Sequence, residues 1–253
     1  MVKVTGPFEI VPGIPPKRNV RIYEPAFFAE RADSASAVDR PLLLLFDGQN
    51  VFDDAPSFAG GWHAHRAVDR LAKTVVPPVV VGVDHGHEHR IEELSPFSFG
   101  GREARLEGFL NWITSWLLPK LRREHGLTSD PRRVIVGGSS MGGLAALYAA
   151  LRMPAVFGGA IVMSPSLFVG RGAIFEWARK NGGQAASRIY LDAGAREAGG
   201  RMLAATERMA EVLGQMGRID LRFRADPRGE HRESDWRRRL LPALRFHFGT
   251  SRR

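Results

Sequence analysis

The stretch Val134-Ile135-Val136-Gly137-Gly138-Ser139-Ser140-Met141-Gly142-Gly143-Leu144-Ala145-Ala146-Leu147-Tyr148 limits what this chain can fold into more than any other. It opens on β-branched apolar residues, as a strand covered on both faces does, and closes on the Ala/Leu content of a packed helix. Between them Gly138-Ser139-Ser140-Met141-Gly142 fits G-x-S-x-G, the sharp strand-to-helix turn that holds a serine above the end of a sheet. Small neighbours are required because the two backbones approach closely at such a turn. Glycine-rich loops also produce this pentapeptide, so its meaning depends on the flanks, and both flanks are present.

The rest of the chain repeats the same alternation. Apolar runs of strand length lie at 19–25, 41–47, 75–83, 132–138, 158–163, 188–192 and 220–225. Helical patterns separate them at 64–73, 106–121, 141–151, 174–179, 202–215 and 234–248, with Pro119 expected to loosen the end of the second. Residues 27–39 suit a loop or short helical excursion. Pro12, Pro15 and Pro16 argue for an irregular lead-in over roughly 1–17. This order predicts an α/β fold with a mostly parallel central sheet covered by helices on both faces, and one domain over 1–253.

Composition removes several classes of function. An apolar fraction of 44% over 253 residues is enough for one sizeable core. No apolar run reaches the ~18 residues of a membrane span. Met1-Val2-Lys3-Val4-Thr5-Gly6-Pro7 lacks the layout of a signal peptide, so a cytoplasmic location is the expectation. Without cysteine there is no disulfide, thiolate metal site or cysteine nucleophile. The net charge of +9 comes from arginines spread along the chain, often beside acids, with one cluster at Arg237-Arg238-Arg239. No nucleic-acid motif accompanies them, so a solvated face is expected and no nucleic-acid partner. His85, His87 and His89 alternate on a loop without a coordinating context, which favours loop polarity or substrate contact; no metal is expected.

A serine hydroxyl needs a base, and the imidazole that serves is better oriented when a carboxylate accepts its other N–H. In G-x-S-x-G folds the chain order is serine, acid, histidine. Downstream of Ser140, Glu197 follows the strand at 188–192, with Asp192 and Asp226 as competing acids. His231 follows the strand at 220–225, whereas His247 falls late in a helix where packing or exposure explains it. Backbone N–H donors for an oxyanion are expected from Met141, after the serine, and from Gln49, after the early strand at 41–47.

Taken together these residues resemble the putative-esterase family of α/β-hydrolases, which includes esterase D-like enzymes, feruloyl esterase domains, siderophore esterases and mycolyltransferases. The resemblance runs from Val20 to Phe248 and is carried by Leu45-Phe46-Asp47-Gly48-Gln49-Asn50-Val51-Phe52-Asp53-Asp54, the elbow, Ser164-Pro165-Ser166, Gly194-Ala195-Arg196-Glu197, and Gly229-Glu230-His231 followed by Trp236. It implies an α/β-hydrolase fold with Ser140 as nucleophile, His231 as general base, Glu197 as orienting acid and Gln49 and Met141 at the oxyanion hole. Many relatives carry Asp at the corner occupied here by Glu197. Siderophore esterases meet anionic substrates with basic residues; Arg90 is a candidate equivalent, against a local salt bridge. His85 lies where relatives place substrate-facing polar residues, and Trp62 and Phe168 suit either a substrate pocket or the core.

The resulting expectation is hydrolysis of a small-molecule carboxylic ester, anionic or aromatic, through an acyl-enzyme and without a cofactor. Acyl transfer to a sugar or alcohol, and a silent ligand-binding domain of the same fold, are the alternatives. Ester identity and oligomeric state are left open by the sequence.

Overall fold

A computed structural model describes residues 1–10, 17–30, 39–55, 57, 59–182 and 187–249. Its sheet has eight strands: β1 (Val2–Phe8), β2 (Arg18–Tyr23), β3 (Leu42–Phe46), β4 (Val79–Val83), β5 (Val134–Ser139), β6 (Gly159–Met163), β7 (Ser187–Gly194) and β8 (Ile219–Asp226). The order across the sheet is β1-β2-β4-β3-β5-β6-β7-β8. β1 and β2 run antiparallel to their neighbours, and the pairings from β4 to β8 are parallel. The helices are α1 (Ala26–Ala29), α2 (Ala64–Leu71), α3 (Arg90–Glu93), α4 (Leu106–Trp112), α5 (Leu118–His125), α6 (Met141–Arg152), α7 (Ala173–Asn181), α8 (Arg201–Gly214) and α9 (Glu233–Phe248).

The continuous apolar strands follow from burial on both faces. Successive side chains of a strand point to opposite sides, so Leu42, Leu44 and Phe46 of β3 enter one core and Leu43 and Leu45 the other. The first core takes the apolar sides of α4 to α8, including Leu110, Leu121, Leu144, Leu147, Phe175 and Met209. The second, smaller core takes Val68 and Leu71 of α2 and Trp236, Leu240 and Leu244 of α9. Both faces are thus closed by helices, as the strand pattern predicts.

Two local expectations are corrected. The N-terminal residues do not form a wholly irregular lead-in: Val2–Phe8 is a strand, paired antiparallel with β2. Its partly exposed side chains carry little periodic signal, because this edge strand is specified by its ladder to β2 rather than by a buried face. Pro12, Pro15 and Pro16, and most of the 27–39 excursion beyond α1, lie outside the described residues. Pro119 acts earlier than expected: Ile113–Leu117, just before it, is wound as a π-helix between α4 and α5. A proline has no N–H for the carbonyl four residues back, so widening the preceding turn relieves the mismatch.

Among the described residues no helix is long and apolar enough to cross a membrane. The parallel pairing brings the C-terminal ends of β3 to β8 to one edge, and the loops that leave this edge carry Gln49, His85, Ser140, Ser164, Glu197 and His231. That edge is where open α/β sheets hold ligands.

Candidate active site

The turn between β5 and α6 is built as its sequence demands. Ser140 has φ 55° and ψ −118°, in a region disfavoured for a non-glycine residue. Its backbone is held from both sides, by donation of its N–H to Met163 O at 3.0 Å and by acceptance at its carbonyl from Leu144 N–H at 3.1 Å and Ser166 N–H at 3.0 Å. A Cβ on Gly138 would sit 2.6 Å from the Gly142 carbonyl carbon, which is why the turn tolerates no side chain at Gly138. The Ser140 hydroxyl lies 3.1 Å from Ser166 Oγ. Among the described residues Ser166, rather than His231, is its hydrogen-bond partner. The bond from a catalytic serine to its base commonly tightens only when substrate is bound.

Glu197 follows β7 and is buried, with 1% of its surface exposed. Its Oε2 lies 2.7 Å from His231 Nδ1. Oε1 accepts from Ser164 Oγ at 2.7 Å, Gly194 N–H at 2.7 Å and Arg239 Nη2 at 3.1 Å. Burial alone would raise this carboxyl, but the bonds from His231 and Ser164, the charge of Arg239 and the Gly194 N–H outweigh it and hold the group below the ordinary carboxylate range. The two competing acids are engaged elsewhere. Asp192 Oδ1 accepts from Arg239 Nη1 at 2.9 Å, and burial pushes this carboxyl up to about 7. Asp226 Oδ2 accepts from Arg238 Nη2 at 2.6 Å. Of the three acids left open by sequence, Glu197 is the one hydrogen-bonded to His231.

The His231 ring meets the indole of Trp236 edge-on, with centroids 4.9 Å apart and planes at 85°. With Nδ1 facing Glu197, Nε2 is the nitrogen left for proton exchange. His247 is buried in α9 with Nε2 3.0 Å from Ala160 O, and burial pushes it down to about 3, as suits a neutral packing residue.

On the other side of Ser140, β3 ends at Asp47, whose φ of 58° turns the chain into the short 3₁₀ segment Gly48–Asn50. Asn50 and Val51 donate back to Asp47 O and Gly48 O at 2.8 and 3.1 Å. The N–H groups of Gln49 and Met141 donate no hydrogen bond among the described residues. Asp47 Oδ2 would lie 3.1 Å from a Cβ on Gly142, so the loop carrying Gln49 abuts the first turn of α6. Arg90 forks onto Asp47, Nε to Oδ1 and Nη2 to Oδ2, both at 2.7 Å, and braces this loop. His85 is anchored nearby through its N–H, which donates to Gln49 Oε1 at 3.1 Å, and its Nδ1 accepts from the His87 N–H at 2.9 Å.

The two aromatic candidates separate. Trp62 is buried in the second core, 6.1 Å from Trp236. Phe168 is 58% exposed and meets Phe99 edge-on at 5.9 Å. It lines a cavity of about 630 Å³ with Phe175, Met202, Arg171 and Arg201, beside the loop that carries Glu197.

Sequence reasoning missed Arg239 and the role of Ser164. The cluster Arg237-Arg238-Arg239, expected as a solvated face, is divided: Arg238 is half exposed, whereas Arg239 is 6% exposed. The signal was available, because Arg239 shares a helix face with Trp236, Leu240 and Ala243, all buried.

A parallel sheet covered on both faces, with a strained serine elbow at its C-terminal edge and a carboxylate–imidazole pair on later loops of that edge, defines an α/β-hydrolase. The chain belongs to the putative-esterase family, whose model matches residues 13–247. It is 30% identical over 155 residues to the Iron(III) salmochelin esterase of Escherichia coli, covering 60% of this chain and 32% of that protein. It is 33% identical over 136 residues to the Iron(III) enterobactin esterase of Dickeya dadantii, covering 53% of this chain and 28% of that protein. The matched stretch therefore spans less than a third of each curated relative. Among solved structures, the enterobactin esterase FES from Shigella flexneri superposes with a TM-score of 0.72 at 25% identity, over 96% of this chain and 58% of that one. The BES protein from Bacillus cereus shares the fold at full length, with a TM-score of 0.77 at 20% identity over 98% and 94% of the two chains.

Proposed function

We propose that this chain is a serine-dependent carboxylic ester hydrolase working through an acyl-enzyme on Ser140. The observation that carries the proposal is the 2.7 Å contact between buried Glu197 and His231 Nδ1, on the sheet edge that also presents Ser140 at positive φ. His231 Nε2 takes the Ser140 proton as Oγ attacks the ester carbonyl, and Glu197 stabilises the imidazolium that forms. The N–H groups of Gln49 and Met141 receive the negative charge that develops on the carbonyl oxygen. His231 returns the proton to the leaving alkoxide, which departs as the alcohol. It then deprotonates a water that releases the acid and restores Ser140.

The substrate proposed is a small-molecule ester. Two observations support an ester of the siderophore class: the curated relatives are named salmochelin and enterobactin esterases, and the cavity beside Glu197 combines Phe168 and Phe175 with Arg171 and Arg201. Arg90 is read first as the brace of the Gln49 loop, because Asp47 takes its Nε and Nη2.

A fluorophosphonate probe tests the chemistry independently of substrate identity. Incubation of the folded protein should give one covalent adduct, mapped by peptide mass spectrometry to Ser140, and labelling should disappear in His231→Ala. Labelling at another serine, or none in a protein with a cooperative melting transition, would overturn the proposal.

A further inference from the structure

We infer that Arg239 is a positioning residue for the proposed reaction, holding Glu197 so that Oε2 and its charge are aimed at His231, with Asp192 as the anchor that fixes the guanidinium. The inference rests on the esterase reading above and adds to it a residue outside the triad. Three contacts define it: Arg239 Nη1 donates to Asp192 Oδ1 at 2.9 Å, and Nη2 donates to Ser164 Oγ at 3.0 Å and Glu197 Oε1 at 3.1 Å.

The hydrogen-bond inventory leaves little freedom. A hydroxyl has one donor and two acceptor sites. Ser164 Oγ accepts from Trp236 Nε1 at 3.1 Å and from Arg239 Nη2, so its single O–H points to Glu197 Oε1 at 2.7 Å. Ser164 is itself held at φ 44°, and its N–H donates to Asp192 O at 2.8 Å. With the Gly194 N–H, these donors fill Oε1 and leave Oε2 for the imidazole. Removing Arg239 both strips a donor from Oε1 and deletes the buried cation that faces two buried carboxylates.

The charge has a directional consequence for activity against pH. Among the described residues, the charged groups around the Glu197–His231 pair are Asp192 on β7, Asp226 at the end of β8, Arg196, Glu230 and Arg232 beside the two residues on their own loops, and Arg238 and Arg239 on α9, with Asp235 paired to Arg232 and Arg238. Arg238 is paired with Asp226 and Asp235, so Arg239 is the buried cation in direct contact with Glu197. Without it Glu197 loses one of the charges that hold its carboxyl down, and takes up a proton at higher pH. The acid limb of kcat/KM then moves upward.

Arg239→Met alone leaves Asp192 facing an apolar side chain and could unfold the protein. The test therefore uses Arg239→Met/Asp192→Asn, which removes both charges, and Arg239→Lys, which keeps the cation, each assayed on an activated aryl ester. The double variant should melt cooperatively and lose on the order of 100-fold in kcat with KM nearly unchanged, since misplacing a reacting group by about 1 Å costs that much. Its acid limb should still rise, by less than loss of the cation alone would give, because the lost guanidinium touches Glu197 Oε1 at 3.1 Å whereas the lost Asp192 carboxylate is hydrogen-bonded to Arg239 and not to Glu197. Arg239→Lys should restore the position of the acid limb and part of kcat. If the double variant keeps the wild-type kcat and pH profile, Arg239 serves only to neutralise Asp192 and the inference fails while the esterase reading stands. If it does not fold, Arg239→Lys decides: an unshifted acid limb with kcat lowered several-fold and KM unchanged supports the inference, because lysine keeps the charge but not the fork onto Asp192, Ser164 and Glu197, whereas a wild-type kcat or a shifted limb contradicts it. A wild-type protein without Ser140-dependent turnover ends both.

Discussion

Replacing Ser140 with Ala should lower kcat on an ester substrate by roughly 10⁶-fold while leaving the fold intact, the loss seen when the nucleophile of a serine triad is removed. Stability should change little for two reasons. Alanine keeps the Cβ, so the cost of the positive-φ backbone at 55° is the same before and after. The substitution removes the hydroxyl's bond to Ser166 Oγ, a neutral hydrogen bond worth about 1 kcal/mol net. Steady-state kinetics on a p-nitrophenyl ester, paired with a thermal melt, checks both halves. A well-folded Ser140→Ala protein that retains more than a small residue of turnover would mean that another group starts the reaction.

Glu197→Gln should be nearly as damaging, with kcat falling by about 10⁴-fold, because an amide facing Nδ1 can hold the imidazole in the wrong tautomer and cannot stabilise the imidazolium. The informative control is Asp226→Asn. Asp226, like Asp192, is of the residue type many relatives carry, yet its Oδ2 is taken by Arg238 at 2.6 Å, whereas Glu197 Oε2 is 2.7 Å from His231. Asp226→Asn should therefore leave kcat close to that of the parent protein. Equal losses in the two variants, or a larger one in Asp226→Asn, would show that Glu197 is not the orienting acid. The longer Glu reaches His231 because its corner is pinned: Ala198 and Gly199, with φ of 48° and 64°, turn the chain directly after it, and Gly194 donates to Oε1.

Much of this arrangement was legible in the sequence because it depends on short-range pattern. Leu42 to Phe46 and Val134 to Val136 read as strands covered on both faces, and they are. Ser140, Glu197 and His231 could be ordered on the loops after β5, β7 and β8 because each follows a recognisable apolar run. What could not be read depends on partners distant in sequence. The strand Val2–Phe8 is specified by its ladder to Arg18–Tyr23 rather than by a buried stripe of its own. The choice among Asp192, Glu197 and Asp226 turns on which carboxylate each arginine of α9 engages, and three consecutive arginines look alike until helix geometry sends Arg239 inward and Arg238 outward. Arg90 was legible as a loop cation but not as the brace of the Gln49 loop, because Asp47 lies far from it along the chain.

The central claim, that ester cleavage passes through a covalent intermediate on Ser140 served by His231, is tested most directly by trapping that intermediate. The protein is mixed with p-nitrophenyl acetate, quenched in acid within the first turnover and analysed by intact and peptide mass spectrometry. The account predicts a mass increase of one acetyl group, located on Ser140, that forms with the first release of nitrophenolate and decays at the steady-state rate. Release of nitrophenolate at an unchanged rate with no acetyl group on Ser140, or with the acetyl group on another residue, would contradict it.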